Sequence, residues 1–290
     1  MTRHLFIVGA GRSGSKFLMN ILNNSDFVHL APEIHYFSSL IHNGFRKNLR
    51  RTYGVQAQYR VDDVVNCLHR QDNFGTYWRR KNEFDPEKVR EWFRDKRVDD
   101  QNIYKYIIEH DHARHASDKA RIKYLGEKAL TNVFHLGKIL KWFPDAMILF
   151  IYRNPLNVLK SEVNKNLKPD YPFSKSNPLY AYGLIVYVFG YWLLAAMIAL
   201  FYRARYRNNV VFVSYDYMTH NVEDVVQKIA TVIEIPYTPE MCLVEKVDSS
   251  LSGNTSDVIW SPPKWVVWLY RATLFPLMAM LERRAVHSDI

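Results

Sequence analysis

Short apolar runs alternate with helically spaced ones along this chain. His4–Val8 reads as a buried strand, followed by the Gly/Ser-rich turn Gly9–Ser15. Lys16–Asn23 then sets Phe17, Leu18, Ile21 and Leu22 on one helical face. From Ile41 to Tyr124 no clean period persists. That stretch reads as a long helical and loop insertion, with basic clusters at Arg46–Arg51 and Arg79–Lys81 and a helix over Glu87–Arg94 opened by Pro86. Lys123–Gly126 reads as a short strand, and Asn132–Trp142 as a helix ended by Phe143-Pro144-Asp145. Met147–Tyr152 is an apolar strand, and Asn154-Pro155 leads into a helix over Leu156–Lys165. Leu179–Arg207 is one long helix, Val210–Tyr215 a strand, and Val222–Glu234 an amphipathic helix. Strands alternating with helices predict an α/β fold, a parallel sheet covered by helices. The reading is a single domain over 1–290, with 41–124 as the insertion and 258–290 as an apolar C-terminal tail.

Composition narrows the function classes. With 48% hydrophobic residues in 290, the chain is not disordered, collagen-like or a small disulfide scaffold. Its two cysteines, Cys67 and Cys242, lie far apart, which excludes a Cys-based zinc site and favours a reducing compartment. Lys plus Arg number 39 against 29 Asp plus Glu, and the net charge of +10 calls for an anionic partner: nucleotide, nucleic acid or acidic membrane surface. The run Leu5–Val8 is too short for the core of a secretory signal.

Two segments carry candidate chemistry. Gly9-Ala10-Gly11-Arg12-Ser13-Gly14-Ser15-Lys16 follows a strand and opens a helix. It satisfies GxGxxG, the dinucleotide fingerprint, and also the first part of a P-loop. A P-loop kinase, however, needs Lys before the hydroxyl residue, and here Ser15 precedes Lys16. In a third reading Arg12 stands before Ser13-Gly14-Ser15, and the N–H groups of residues 13–17 grip an anion without a metal. The second segment runs from Ile148 to Ser161. Arg153 ends its strand, where ligands bind in open α/β sheets, and an Arg fork suits phosphate.

Together these motifs resemble the PAPS-dependent sulfotransferase family, and Gly11–Leu18 looks like its 5′-phosphosulfate loop. Tyr152-Arg153-Asn154-Pro155 through Val158 and Ser161 looks like its 3′-phosphate site. Gly126-Glu127-Lys128 is similar to the Glu-Lys-Thr-Pro segment of bacterial and carbohydrate members, and Phe143-Pro144-Asp145-Ala146 also fits. Val213–Tyr217 with Val222–Ile233 looks like the Tyr-Glu-Asp strand and its helix, and Ser252-Gly253-Asn254-Thr255 faintly resembles the last nucleotide-contacting loop. The likeness covers about 4–40 and 123–255. It implies that Arg12 lies beside the transferred sulfuryl group and that Ser13, Gly14, Ser15, Lys16 and Phe17 hold the 5′-phosphosulfate. It further implies that Arg153 and Ser161 bind the 3′-phosphate and that Tyr215 lies near the adenine. The pattern departs from the family at Arg12, where many members have Lys, at Lys16, where many have Thr, and after Lys128, where Ala129-Leu130-Thr131 replaces Thr-Pro. Ala129 and Leu130 also leave no histidine where cytosolic small-molecule members keep theirs.

Sulfuryl transfer to a hydroxyl needs a base for the acceptor's proton and cations for the departing phosphate. Pro32-Glu33-Ile34-His35-Tyr36-Phe37 resembles the segment in which carbohydrate sulfotransferases carry a glutamate base. Glu33 is therefore the expected base, His35 the alternative, and Lys128 the residue that orients Glu33 or meets the acceptor. The expected function is transfer from PAPS to a hydroxyl of a glycan or glycolipid, with no metal and with 41–124 capping the acceptor side. The rivals are a P-loop kinase-like phosphotransferase, a Rossmann oxidoreductase that leaves Arg12, Arg153 and Ser161 unused, and a non-enzymatic peripheral membrane or glycan-binding protein. His110, His112 and His115 read as part of a solvated basic helix rather than a metal site. No nucleic-acid motif accompanies the basic clusters.

The uncharged stretch Leu179–Tyr202 is long enough to cross a bilayer. It lies between strands ending at Arg153 and starting at Val210, and in the sulfotransferase reading both belong to one cytosolic sheet. A buried or interfacial helix is therefore expected. Trp265–Leu281, with Trp265, Trp268 and Tyr270 flanked by Lys264, Arg271, Arg283 and Arg284, suits an anionic membrane surface. The expected setting is cytoplasmic and peripheral to the membrane.

Overall fold

The computed structural model describes residues 2–37, 44–69, 83–116, 119, 121–166, 178–243 and 262–286. Five strands form a parallel sheet in the order β2-β3-β1-β4-β5: β1 Arg3–Gly9, β2 Val28–Pro32, β3 Tyr124–Lys128, β4 Met147–Tyr152 and β5 Val210–Ser214. The strands are buried almost throughout, which explains why they read as continuous apolar runs rather than alternating ones. The fold is the expected α/β class.

The chain divides into two compact units. One holds Met1–Phe6 and Ser25–Ala146. In it β2 pairs with β3 in register from Val28–Tyr124 to Pro32–Lys128. Its helices are α2 Phe45–Tyr53, α3 Val61–Leu68, α4 Pro86–Trp92, α5 Asp100–His115 and α6 Leu136–Trp142. Two of these start on side-chain caps: Asp85 accepts from Glu87 N at 2.9 Å, and Asp99 from Asn102 N at 2.9 Å. The core is aromatic, with the rings of Tyr36, Phe37, Phe45 and Tyr104 in mutual contact and almost fully buried. The other unit holds Ile7–Asn24 and Met147–Ile290. Here β4 pairs with β5 from Ile148–Val210 to Tyr152–Ser214. Its helices are α1 Ser15–Asn23, α7 Pro155–Asn166, α8 Pro178–Arg205, α9 Tyr215–Met218, α10 Val222–Val232 and α11 Lys264–Glu282.

Several local expectations are corrected. Val28–Pro32 carries no strand signal of its own, yet it forms β2; Lys119 Nζ donates to Ser25 O and Val28 O, both at 2.9 Å, and so braces its entry. Asn132–Trp142 is not one helix: Leu130–His135 is a 3₁₀ turn and α6 begins at Leu136. The strand expected to reach Tyr215 stops at Ser214, whose Oγ accepts from Tyr217 N and caps α9. The His tract is only partly solvated, with His115 exposed and His110 and His112 half-buried. α5 buries Tyr104, Ile107, Ile108 and Asp111, Asp111 Oδ2 lies 2.8 Å from His29 Nε2, and His110 stacks on Phe84. The Arg79–Lys81 cluster and Ser252–Thr255 lie outside the described residues.

Candidate active site

The turn from β1 into α1 is shaped by close packing. A Cβ at Gly9 would lie 2.0 Å from Ile151 O, and one at Gly14 would lie 2.0 Å from the Tyr215 ring. Gly14 also has φ +76°, in the left-handed region. α1 therefore starts with no side-chain cap and no acidic residue in its first turn. Its first N–H groups keep their capacity for an anion, and the helix dipole favours one there. Within the turn Ser13 is fully buried, with Oγ 3.4 Å from Gly11 O; Ser15 and Phe17 are buried, and Lys16 is exposed.

Distant parts of the chain meet at this turn. Arg12 takes φ +60°, and its Nε donates to Ser161 Oγ at 3.0 Å, with Glu162 Oε2 at 3.9 Å. Arg153, just past β4, donates from Nη1 to Arg12 O at 3.4 Å, and its guanidinium carbon lies 4.8 Å from the centre of the Tyr215 ring. Asp216 holds this corner: its Oδ2 accepts from Asn154 N at 2.9 Å, and its Oδ1 lies 3.6 Å from Arg153 Nε. Trp192 of α8 donates to Arg153 O at 2.9 Å. The buried Arg153 Nε makes no hydrogen bond among the described residues. Arg12, Ser13, Gly14, Ser15, Arg153, Ser161 and Tyr215 thus share one site. Glu162, Asp216 and Trp192 were assigned no role from the sequence; of these only Asp216 lay inside a motif that stood out there.

The expected base cluster lies in the other unit. The β2–β3 register sets Pro32 opposite Lys128, and Glu33 N donates to Lys128 O at 2.9 Å. Lys128 Nζ donates to Glu33 Oε1 at 2.5 Å, and His35 Nε2 lies 4.0 Å from Glu33 Oε2. The Lys128 side chain is only 7% exposed while that of Glu33 is 44% exposed, so a buried ammonium holds a carboxylate that still faces solvent. Glu33 at φ +39° and His35 at φ +56° both adopt left-handed backbone, and such strain concentrates at functional positions.

One further acid stands out. Glu127, the neighbour of Lys128 in β3, is fully buried; its Oε1 accepts from Tyr104 OH at 2.9 Å and from Asn132 Nδ2 at 2.6 Å. Burial pushes its carboxyl up to about 7, against the pull of those two hydrogen bonds. Between the usual value of 4.5 and about 7 the folded chain keeps a proton that the unfolded chain has released, so stability falls as pH rises through that window. Glu127→Gln keeps the acceptor for Tyr104 and Asn132 and has no charge to bury. Urea unfolding should therefore show the variant gaining on the parent by roughly 1–3 kcal/mol between pH values below and above the window. A gap that does not change with pH would show that Glu127 is not protonated in the fold.

No curated protein matches the chain. Among solved structures, the sulfotransferase from Alicyclobacillus acidocaldarius superposes with a TM-score of 0.55 at 15% identity, covering 100% of this chain and 98% of that one. The sulfotransferase domain of the Synechococcus PCC 7002 olefin synthase gives 0.52 at 14% identity, covering 97% and 95%. At these identities the likeness is one of fold. The family model described as the sulfotransferase family matches residues 4–239, a span that takes in the α1 turn, the Glu33–Lys128 pair, Arg153 and Tyr215. By that match the chain belongs to the sulfotransferase family.

Proposed function

We propose that the protein transfers a sulfuryl group from PAPS to a hydroxyl of a glycan or glycolipid. The observation that carries this reading is the meeting of Arg12, Ser161 and Arg153 at an uncapped helix N-terminus. The residues present fit the donor. The first turn of α1 offers N–H groups and no acid, a Cβ at Gly11 would meet nothing within 4 Å, and the buried Arg153 Nε has hydrogen-bonding capacity to spare. PAPS would supply an activated sulfuryl group on a 5′-phosphate, together with a 3′-phosphate for recognition. Ser13 to Phe17 would bind the 5′ end through the turn and the start of α1, and Arg153 and Ser161 would bind the 3′-phosphate. Arg12 would balance the charge that grows on the leaving phosphate as its oxygen parts from sulfur. Glu33, oriented by Lys128, would take the acceptor's proton as the new oxygen–sulfur bond forms, and His35 is the second choice for that role.

A P-loop phosphotransferase is served less well. Lys16 is exposed and follows the hydroxyl residue, and Asp216 is engaged with Arg153 and Asn154 N. Cys67 and Cys242, far apart in the sequence, support a reducing, cytoplasmic setting, in which the enzyme would meet its acceptor at the cytosolic membrane face.

Calorimetry tests the donor. Adenosine 5′-phosphosulfate should bind far more tightly with a 3′-phosphate than without it. Arg153→Ala should remove about 1.5–3 kcal/mol of that preference, the size of a charge-assisted contact. Equal affinity for the two nucleotides would refute the 3′-phosphate assignment.

A further inference from the structure

We infer that the outward faces of α8 and α11 form one membrane-docking surface, on which α8 lies in the plane of an anionic bilayer, half sunk into it, rather than crossing it. The inference rests on the membrane-facing setting proposed above, but not on the sulfuryl chemistry.

The two sides of α8 separate cleanly. Ile185, Val188, Phe189, Trp192, Ala195, Ala196 and Ala199 are buried within their unit, and Trp192 is hydrogen-bonded to Arg153 O. The opposite side presents Tyr182, Val186, Leu194, Met197 and Phe201, with Val186 72% and Phe201 61% exposed. A helix face turned to water ordinarily carries polar residues, and an apolar stripe of this length marks an interaction surface. α11 repeats the pattern. Val266, Tyr270, Leu274, Met278 and Leu281 face inward, while Trp265, Trp268 and Phe275 face outward, Trp268 being 70% exposed. The exposed rings of Tyr182 and Trp265 stack at 5.6 Å and join the two stripes.

Charge selects the occupant. α8 contains no Asp or Glu, and the one acid of α11, Glu282, accepts from Ser214 Oγ. Exposed cations border the stripes: Lys264 and Arg271 lie within one helical turn of Trp268, Arg283 and Arg284 follow α11, Arg205 ends α8 and Arg207 follows it. Aromatic rings at the centre of an apolar face with cations at its rim match the depth profile of an anionic bilayer interface, where rings settle at headgroup level and Lys and Arg meet phosphates. By length and composition α8 could cross a bilayer. A span is incompatible with its packing, because one whole face is occupied by protein and the helix leads directly into β5, the parallel partner of β4.

The test uses the full chain with vesicles of phosphatidylcholine, with and without phosphatidylserine. The protein should sediment with the anionic vesicles at least about tenfold better than with the neutral ones. Its tryptophan fluorescence should be quenched by lipids brominated near the top of the acyl chains. Phe201→Glu with Trp268→Glu should abolish sedimentation, and Lys264→Glu with Arg271→Glu should erase the preference for anionic lipid. All four positions are solvent-facing, and unchanged affinity for adenosine 3′,5′-bisphosphate in each variant confirms an intact fold. The proposal fails if the parent ignores both vesicles, or if the Phe201/Trp268 variant sediments like the parent. It fails equally if that variant splits a dimer that the parent forms in solution, since a second copy would then own the face. Retention after alkaline carbonate, with protease reaching only one flank of α8, would show a span and overturn it as well. A parent that binds vesicles but no adenosine 3′,5′-bisphosphate would instead refute the donor reading alone.

Discussion

Glu33→Gln should leave donor affinity unchanged and slow turnover by about 10²–10⁴-fold, the range for removal of a general base. The amide has the carboxylate's shape and keeps an oxygen for Lys128 Nζ, so the β2–β3 junction and its backbone strain stay as they are. Only the capacity to accept a proton is lost. The comparison requires turnover with a reactive acceptor and bisphosphate affinity measured on the same preparation. Near-normal turnover would move the role to His35, whose Nε2 is 4.0 Å from Glu33 Oε2. Loss of donor affinity along with turnover would instead mark Glu33 as a structural support.

Arg12 offers the second large effect. Removing its guanidinium should lower kcat by about 10²–10³-fold, as for other donors aimed at developing charge. Two replacements separate chemistry from folding. Arg12 sits at φ +60°, which costs a non-glycine residue about 1–2 kcal/mol. Arg12→Ala keeps that strain and loses the hydrogen bond to Ser161, whereas Arg12→Gly releases the strain. Both variants should be equally slow, while thermal melting should find the glycine variant the more stable. Normal turnover in Arg12→Gly would show that the guanidinium takes no part.

Much of the site was legible because its signals are local. Leu5–Val8 of β1 and the whole of β4 are uninterrupted apolar runs closed by Gly9 and by Arg153-Asn154-Pro155, and α1 shows its period within a few residues of Gly14. The order of the Arg12 loop, the Arg153–Ser161 segment and Tyr215 was readable for the same reason. Elements whose reason to exist lies elsewhere in the chain were not. β2 is five residues with no alternation, stabilised by pairing with β3 and by Lys119. The His tract belongs to a helix half buried through Tyr104 and Asp111, whose partners Glu127 and His29 are remote in sequence.

By itself, the sequence determined the α/β class, the Gly9–Lys16 turn between strand and helix and the identity of the charged groups around it, since these depend on backbone freedom, periodicity and residue chemistry. Tertiary structure alone decided which of those groups meet. It brought Arg12 to Ser161, clamped Arg153 between Tyr215 and Asp216, tied Glu33 to Lys128 through strand register, and desolvated Glu127 until its carboxyl holds a proton near neutrality. It also decided which side of α8 turns to solvent, because a helix apolar on every face carries no signal of which side is inside. Local pattern describes a segment's own surfaces, whereas contact order, burial and the electrostatics they create arise only when distant segments pack.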